Sequence, residues 1–322
     1  MSTVTLNLMA GKREICPVLD FYYHLPPRAK LHFLEIPEAI YLFSGLPQGV
    51  SNLLREGFLQ GAYGGDMPGW EIVVDFFQSN SEIIPALTEN PGTFTMLERM
   101  YHFQPVVGVI DNYFLQCLAG GQALKNRYEI VTATACQDIS GILDRQRSCL
   151  VADFGSGPGR NAVDIIRKRP DFNGNIRIDC IDIDQEAIRF GESLVQKFGI
   201  RQVRFLDKSM VKLRSEYNHS VDYGLLIGVL CGMDYRERVF LLKNLLRYFR
   251  PGGKLVAAAL LDEMAKRDLL CAYILRETAY WELKFRPLGD LKRAFEEAGW
   301  RYEGYFQDQP SRLYEIGIGV AP

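Results

Sequence analysis

The chain has 322 residues, of which 48% are hydrophobic and 24% are charged, and its formal net charge is −2 at pH 7. These values are ordinary for a globular protein, and the length suits one large domain or two smaller ones. A net charge so close to zero gives no electrostatic reason to expect nucleic acid or an anionic membrane as a partner. No apolar run reaches the roughly 18–20 residues that a membrane span needs.

Targeting and metal-binding patterns are not found in the sequence. Residues 1–6, MSTVTL, do not combine a basic stretch with a long apolar one, so we expect no secretory signal and a cytoplasmic protein. The seven cysteines are odd in number and form no C-x-x-C pair, which favours free thiols over disulfides or zinc ligands. The four histidines lack metal-ligand spacing, and we predict no metal site.

The first half of the chain is predicted to be mostly helical. Pro37 is typical of the first turn of a helix, and a second helical segment is predicted over 50–59. Residues 70–77 are predicted to form a helix or a buried apolar run, and 106–118 is a strongly apolar segment. The Gly120-Gly121 pair is predicted to end the last of these, before a long amphipathic helix over 122–143. We interpret residues 1–147 as a helical N-terminal cap that contributes to substrate binding.

The stretch VADFGSGPGRN at 151–161 predicts a buried strand, a glycine turn and the first turn of a helix. Gly155, Gly157 and Gly159 allow the backbone to adopt positive φ and to approach a ligand without a Cβ in the way. Their G-x-G-x-G spacing differs from the G-x-G-x-x-G of dinucleotide-binding turns, and the chain has no P-loop motif. In an open α/β sheet such a turn lies at the carboxyl edge, where ligands bind.

Further strands are predicted after this turn, and two of them end in acids. The strand over 176–184 carries Asp182, where a carboxylate can accept both hydroxyls of a ribose. The strand over 203–207 ends at Asp207, which can accept from the exocyclic amine of an adenine. The strand over 221–228 ends at Gly228, a small residue that leaves space for a ligand. The remaining strands are predicted over 254–261, 300–306 and 313–320.

Taken in order, these features resemble the class I S-adenosylmethionine-dependent methyltransferases over residues 148–320. The resemblance implies an α/β fold with a Rossmann-like seven-stranded sheet, whose last two strands form an antiparallel hairpin, in a catalytic domain over 148–322. It also implies S-adenosyl-L-methionine as the cofactor. The residues expected to bind it are Asp153, Gly155, Ser156, Gly157, Gly159, Asn161, Asp182, Ile183, Asp207, Lys208 and Gly228.

Individual roles within this set come from the same resemblance. Asp153 matches the acid that helps to fix the methionine ammonium, and Asp182 matches the acid that binds the ribose. Ile183 lies at the position beside the adenine face, and Asp207 with Lys208 lies at the adenine edge.

The sequence does not identify a catalytic residue. Tyr113 and Tyr128 are weak candidates in the helical half, Tyr128 because the helix before the first strand often borders the cofactor in this family. Glu277, Tyr280 and Arg286 follow the fifth strand, where they suit a base, a hydrogen-bonding phenol and a carboxylate clamp respectively.

Two reactions of the same cofactor remain open. We favour methyl transfer to the oxygen or nitrogen of a small-molecule metabolite. The alternative is attack on the methionine γ-carbon, which transfers an aminocarboxypropyl group or closes azetidine-2-carboxylate and releases methylthioadenosine. The fourth strand is followed by Ile227-Gly228-Val229-Leu230, without the Pro-Pro-aromatic motif of enzymes that methylate nucleobases. We therefore expect a small-molecule substrate, while the acceptor and the oligomeric state stay undetermined.

Overall fold

The computed structural model describes residues 23–89, 94–102, 108–172, 174–281 and 284–322. Among these residues, no helix is both long enough and apolar enough to cross a membrane. In chain order the helices are α1 (Pro27–Leu34), α2 (Pro37–Gly45), α3 (Gln48–Gln60), α4 (Trp70–Ser79), α5 (Ile83–Glu89), α6 (Phe94–His102), α7 (Val109–Asn112), α8 (Ala119–Leu143), α9 (Arg160–Lys168), α10 (Gln185–Phe198), α11 (Tyr235–Leu246), α12 (Met264–Arg267), α13 (Leu269–Ala279) and α14 (Asp290–Glu297).

The strands form a single seven-stranded sheet with the order β3-β2-β1-β4-β5-β7-β6. β1 to β5 run parallel, and β7 lies antiparallel between β5 and β6. The predicted α/β class, the Rossmann-like sheet and its C-terminal antiparallel hairpin are therefore confirmed. The strands are β1 (Cys149–Phe154), β2 (Ile176–Asp182), β3 (Val203–Asp207), β4 (Val221–Leu226), β5 (Phe249–Leu260), β6 (Arg301–Gln307) and β7 (Tyr314–Val320).

The described residues group into two compact units. The first comprises residues up to 122 together with 262–285, and the second comprises 123–261 and 286–322. The predicted boundary at 147/148 falls inside the second unit, because α8 is bonded to α9 there. Asn161 Nδ2 donates to Thr132 Oγ1 at 3.0 Å, and the Tyr128 hydroxyl donates to Asp164. Residues 262–285, predicted as part of the catalytic domain, group with the first unit.

The central strands of the second unit are buried almost throughout. Every residue of β4 is buried, as are all residues of β1 except Leu150. Parallel strands bury both faces, which explains why these segments are apolar runs rather than alternating patterns. Around them lies a core that includes Phe154, Leu242 and Phe249.

Helix caps determine where the chain leaves the strand ends. Asp184, two residues after β2, caps α10 by accepting from the backbone N–H groups of Glu186 and Ala187. Asp234 and Glu237 form a capping box at the start of α11. Such caps stabilise a helix by about 1 kcal/mol, and they fix the lengths of the loops at the carboxyl edge of the sheet.

Several predicted boundaries change in the structure. β5 begins at Phe249, before the predicted start of this strand at Lys254, and it contains Gly252 at φ +80°. After β5, Asp268 has a φ of −152° and separates α12 from α13. Residues 106–107 of the predicted 106–118 segment lie outside the described residues.

The prediction that Gly120 and Gly121 end a helix is wrong. Both glycines lie in the first turn of α8. A Cβ on Gly121 would lie 2.2 Å from the carbonyl oxygen of Phe114, whereas a Cβ on Gly120 would meet nothing closer than 3.4 Å, the distance to Met264 Cε. Gly121 is therefore required by close backbone packing after the preceding turn, not by the end of a helix.

The two glycines provide a matched pair for a stability test. We expect Gly121→Ala to lower the free energy of unfolding by about 1–3 kcal/mol, because its methyl group would overlap the Phe114 carbonyl. Gly120→Ala is expected to leave stability unchanged or to raise it by up to about 1 kcal/mol, because alanine is the better helix former. Urea unfolding of the full chain measures both, and equal effects would contradict the role assigned to Gly121.

Candidate functional site

The turn between β1 and α9 has the backbone that its glycines allow. Gly155, Gly157 and Gly159 have φ values of +66°, +53° and +64°. The Gly155 N–H donates to the Ile181 carbonyl at 2.8 Å, which ties the turn to the end of β2. Because the left-handed region is costly for residues with a Cβ, three such positions in five residues require glycine.

The Asp182 carboxylate holds this turn in place. One of its oxygens accepts from the Gly157 N–H at 2.7 Å. The other accepts from the N–H groups of Ile183 at 2.7 Å and Asp184 at 2.9 Å. A carboxylate has about four acceptor positions, so Asp182 retains acceptor capacity for a ligand hydroxyl. The sequence pointed to this carboxylate as a ligand group, and its second role in fixing the glycine turn was not foreseen.

The second acid lies beside the first. Asp207 is the register partner of Asp182 across the parallel β2–β3 pair, and paired strands lie about 4.8 Å apart. Asp207 is exposed, and one of its carboxylate oxygens accepts from Gln185 Nε2 at 3.1 Å. The Lys208 N–H donates to the Asp182 carbonyl at 2.9 Å. The structure therefore brings Asp182, Asp207 and Lys208 together at one edge of the sheet, as the sequence predicts.

Apolar and open surface adjoins these acids. The Ile183 side chain is 71% exposed, although it is a large aliphatic residue directly after β2. Gly228 follows β4 with a φ of +89°, and a Cβ built there would meet no atom within 4 Å. An exposed isoleucine next to a carboxylate pair is suited to one face of a planar heterocycle.

Asp153 is the buried acid of the site. It lies in β1, opposite Cys180 of β2, and is only 4% exposed. Burial, with a smaller contribution from the negative charge of Asp182, raises the pKa of Asp153 to about 7. Such a group ionises readily when a cation binds beside it.

Ser156 and Asn161 have local roles in the turn and in α9. The Ser156 hydroxyl lies 3.2 Å from the Gly157 carbonyl, to which it donates. Asn161 bonds Thr132 of α8. A Cβ on Gly159 would lie 2.7 Å from Cys180 Sγ, so glycine also permits the start of α9 to pack on β2.

The four weak catalytic candidates divide between the two units. Tyr128, in the second unit, is buried, and its hydroxyl donates to Asp164 of α9. Tyr113, in the first unit, is buried, and burial together with the negative charge of Asp268 raises its pKa well above the ordinary value.

Glu277 and Tyr280 belong to the first unit. Glu277 is 7% exposed and accepts from the Tyr23 hydroxyl at 2.9 Å and from the Gly64 N–H at 2.7 Å, which is a structural arrangement. Tyr280 is 43% exposed and has a left-handed φ of +52°. A catalytic role for any of the four stays a prediction.

Residues that the sequence did not single out also shape the site. A Cβ on Gly155 would lie 2.5 Å from Val229 Cγ2 and 3.2 Å from Met210 Cε. The loops after β4 and β3 thus pack over the glycine turn. Val229 and Met210 follow predicted strands, and that position could have identified them as site residues. The contacts between side chains of three different loops, however, cannot be predicted from the order of residues along the chain.

Comparison with known proteins agrees with this geometry. Residues 151–253 match a family model described as a methyltransferase domain, and no curated protein matches the sequence. Among solved structures, the chain resembles a possible exported protein from Bordetella parapertussis, with 17% identity and a TM-score of 0.58 over 93% of this chain and 98% of that one. It also resembles magnesium protoporphyrin IX methyltransferase from Synechocystis PCC 6803 with bound SAH, at 13% identity and a TM-score of 0.51 over 78% of this chain and 99% of that one. At such identities the likeness concerns the fold.

The raised pKa of Asp153 predicts a pH-dependent cost to stability. Its pKa rises from 3.8 to about 7 on folding, so this residue contributes most to stability below pH 4 and the contribution is lost as the pH rises through 7. We expect Asp153→Asn to be more stable than the native chain at pH 8, by on the order of 2–4 kcal/mol. The difference should shrink towards pH 4.

Unfolding of both proteins across this pH range measures the effect. Asp171→Asn is a control, since Asp171 is exposed and its pKa is lowered by Arg169. A constant difference between native and Asp153→Asn proteins from pH 4 to pH 8 would contradict the raised pKa.

Proposed function

We propose that this chain is an S-adenosylmethionine-dependent enzyme that methylates oxygen or nitrogen of a small molecule, because residues 151–253 match a family model described as a methyltransferase domain. The observation that carries the proposal is the convergence of the glycine turn, Asp153, Asp182 and Asp207 at the carboxyl ends of adjacent strands. Ligands of open α/β sheets bind at this edge.

The charges of the site favour a cationic nucleoside over a nucleotide. Asp153, Asp182 and Asp207 place carboxylates at or near the ends of β1, β2 and β3. Three carboxylates would repel a pyrophosphate, whereas they attract the ammonium and sulfonium of S-adenosylmethionine. The Synechocystis enzyme with bound SAH supports the same cofactor.

Each part of this cofactor has a suitable partner in the second unit. The remaining acceptor capacity of Asp182 suits the ribose hydroxyls, and the exposed Ile183 suits the adenine face. Asp207 and Lys208 suit the adenine edge, and Asp153 suits the methionine ammonium. When bound, S-adenosylmethionine supplies an electrophilic methyl group.

The protein contributes positioning and electrostatics to such a transfer. Methyl displacement needs the acceptor atom in line and about 3–3.5 Å from the methyl carbon, in a site from which water is excluded. Ionised Asp153 balances the cofactor's ammonium, and Gly228 leaves room beside it. An unprotonated amine or a carboxylate acceptor requires no general base, which fits the structural roles of Tyr128 and Glu277.

Removing the Asp182 carboxylate tests the cofactor site. We expect Asp182→Ala to weaken binding of S-adenosylhomocysteine by about 1–3 kcal/mol, since it removes a charge-assisted acceptor and loosens the glycine turn. Isothermal titration calorimetry measures the affinity. Asp184→Ala is the matched control, because it removes the α10 cap and lowers stability by about 1 kcal/mol without removing a cofactor ligand. Equal affinities of native protein and Asp182→Ala would refute the ribose assignment.

The released product distinguishes the two reactions of the cofactor. We expect no turnover of S-adenosylmethionine alone, and S-adenosylhomocysteine when an acceptor is supplied. Chromatography with mass detection identifies the products, and Asp182→Ala serves as the control for enzyme-dependent release. Enzyme-dependent release of methylthioadenosine in the absence of an acceptor would contradict methyl transfer and would show attack on the γ-carbon instead.

A further inference from the structure

A cavity of about 350 Å³ lies in the second unit, away from the residues assigned to the cofactor. It is formed at the N-termini of α11 and α14. Its volume is at the lower end of the range of small-molecule pockets, about 300–1,000 Å³. The residues that line it are Asp234, Tyr235, Arg238, Arg286, Asp290 and Arg293.

The cavity opens at the same sheet edge as the glycine turn. Arg286 forms a parallel bridge with Leu261, directly after β5, and Asp234 ends the loop that follows β4. Gly228 is at the other end of that loop. The six residue steps from Gly228 to Asp234 span at most about 20 Å, so the cavity is within reach of a metabolite that borders the proposed cofactor.

Arg238 is a buried residue of the cavity lining. It is 1% exposed, and its Nη2 lies 2.5 Å from Asp290 Oδ2. Its Nε donates to the Asp234 carbonyl at 3.2 Å. Its Nη1 is also buried and has no hydrogen-bond partner among the described residues. A buried guanidinium donor without an acceptor is costly, and a bound oxygen atom would remove that cost.

Arg286 adds a second positive charge. Its Nη2 donates to the Met233 carbonyl at 2.5 Å. Burial and the like charge of Arg238 lower the pKa of Arg286, against the opposing charges of Asp290, Cys231 and Asp234. The two guanidiniums therefore lie close enough to repel each other.

The carboxylates of the cavity do not neutralise its arginines. The lining holds three arginines and two aspartates. Asp290 is shared, since Arg293 Nη2 also lies 2.8 Å from its Oδ1, and Asp234 accepts from the Glu237 N–H in the α11 cap at 2.8 Å. The N-terminal ends of α11 and α14 add partial positive charge.

Arg127, which does not line the cavity, approaches the same region from α8. Arg127 is 2% exposed, and its guanidinium lies 4.5 Å from the centroid of the Tyr314 ring. Arg127, Arg238 and Arg286 all lie near enough to the Cys231 thiol to lower its pKa, although burial dominates and raises it. Three guanidiniums thus contribute positive charge near Cys231, in the loop between β4 and α11.

We propose that this cavity binds an oxyanion, a carboxylate or a phosphate, of the acceptor substrate, with Arg238 Nη1 and the Arg286 guanidinium as its donors. This assignment rests on the proposed function and specifies its substrate class. Guanidinium groups match the geometry of both oxyanions. A neutral acceptor would leave the buried donor of Arg238 unsatisfied.

Arginine Nε–Hε signals in ¹⁵N-correlation spectra of the full chain with S-adenosylhomocysteine test the proposal. Benzoate and phenyl phosphate serve as probes, and benzamide serves as the neutral counterpart of benzoate at constant ionic strength. We expect saturable shifts of the Arg238 and Arg286 signals with benzoate or phenyl phosphate but not with benzamide. The anion that binds with the higher affinity identifies whether the site prefers a carboxylate or a phosphate.

Arg286→Met should weaken anion binding by about tenfold or more. Arg236→Met is the matched control for the loss of one arginine. Arg236 is exposed on the same turn of α11 as Arg238 and does not line the cavity. Unshifted arginine signals with S-adenosylhomocysteine still bound would overturn the anion site and leave the proposed function intact. Anion-dependent shifts without any binding of S-adenosylhomocysteine would instead overturn the proposed function. Equal shifts with benzamide, or equal weakening in both variants, would also overturn the anion site.

Discussion

The bond between the Asp182 carboxylate and the Gly157 N–H, at 2.7 Å, is the interaction on which the candidate site depends. It joins the end of β2 to a turn whose three glycines all have positive φ. A turn in that conformation gains little from its own side chains, so an outside acceptor must hold it. The same carboxylate orders the chain after β2 through two further backbone bonds, and a single acid thereby sets the shape of two adjacent strand ends.

Charge is distributed unevenly along the carboxyl edge of the sheet. Carboxylates lie at the ends of β1, β2 and β3, and arginines lie after β4 and β5. A cationic cofactor would be attracted to the carboxylates after β1 to β3, and an anionic acceptor would be attracted to the arginines after β4 and β5. The two ligands would therefore bind at different positions along the edge. Complementary potentials of this kind contribute more to orientation and specificity than to raw affinity. The buried Asp153, with a pKa of about 7, illustrates the cost in stability that such a site carries.

Residue type alone does not show whether a side chain is bonded within the fold. Tyr128 and Glu277 have the chemistry of a phenol and a base, yet both are buried and bonded within the fold. The sequence did not indicate Arg238 as a functional residue, because an arginine on an amphipathic helix is usually solvated. Its burial, and the lack of a hydrogen-bond partner for its Nη1 within the part of the chain that the structure describes, are properties of the packed structure.

The sequence by itself determined the parallel sheet, the glycine turn and the two acids that end β2 and β3. These features follow from local patterns: apolar runs form buried strands, glycines permit positive φ, and the ends of parallel strands meet at one edge. Only the tertiary structure decided that Gly121 lies inside α8, that residues 262–285 group with the N-terminal helices, and that Arg238 and Arg286 line one cavity. Each of these depends on which distant atoms approach closely, and a single sequence does not encode such distances in any local pattern.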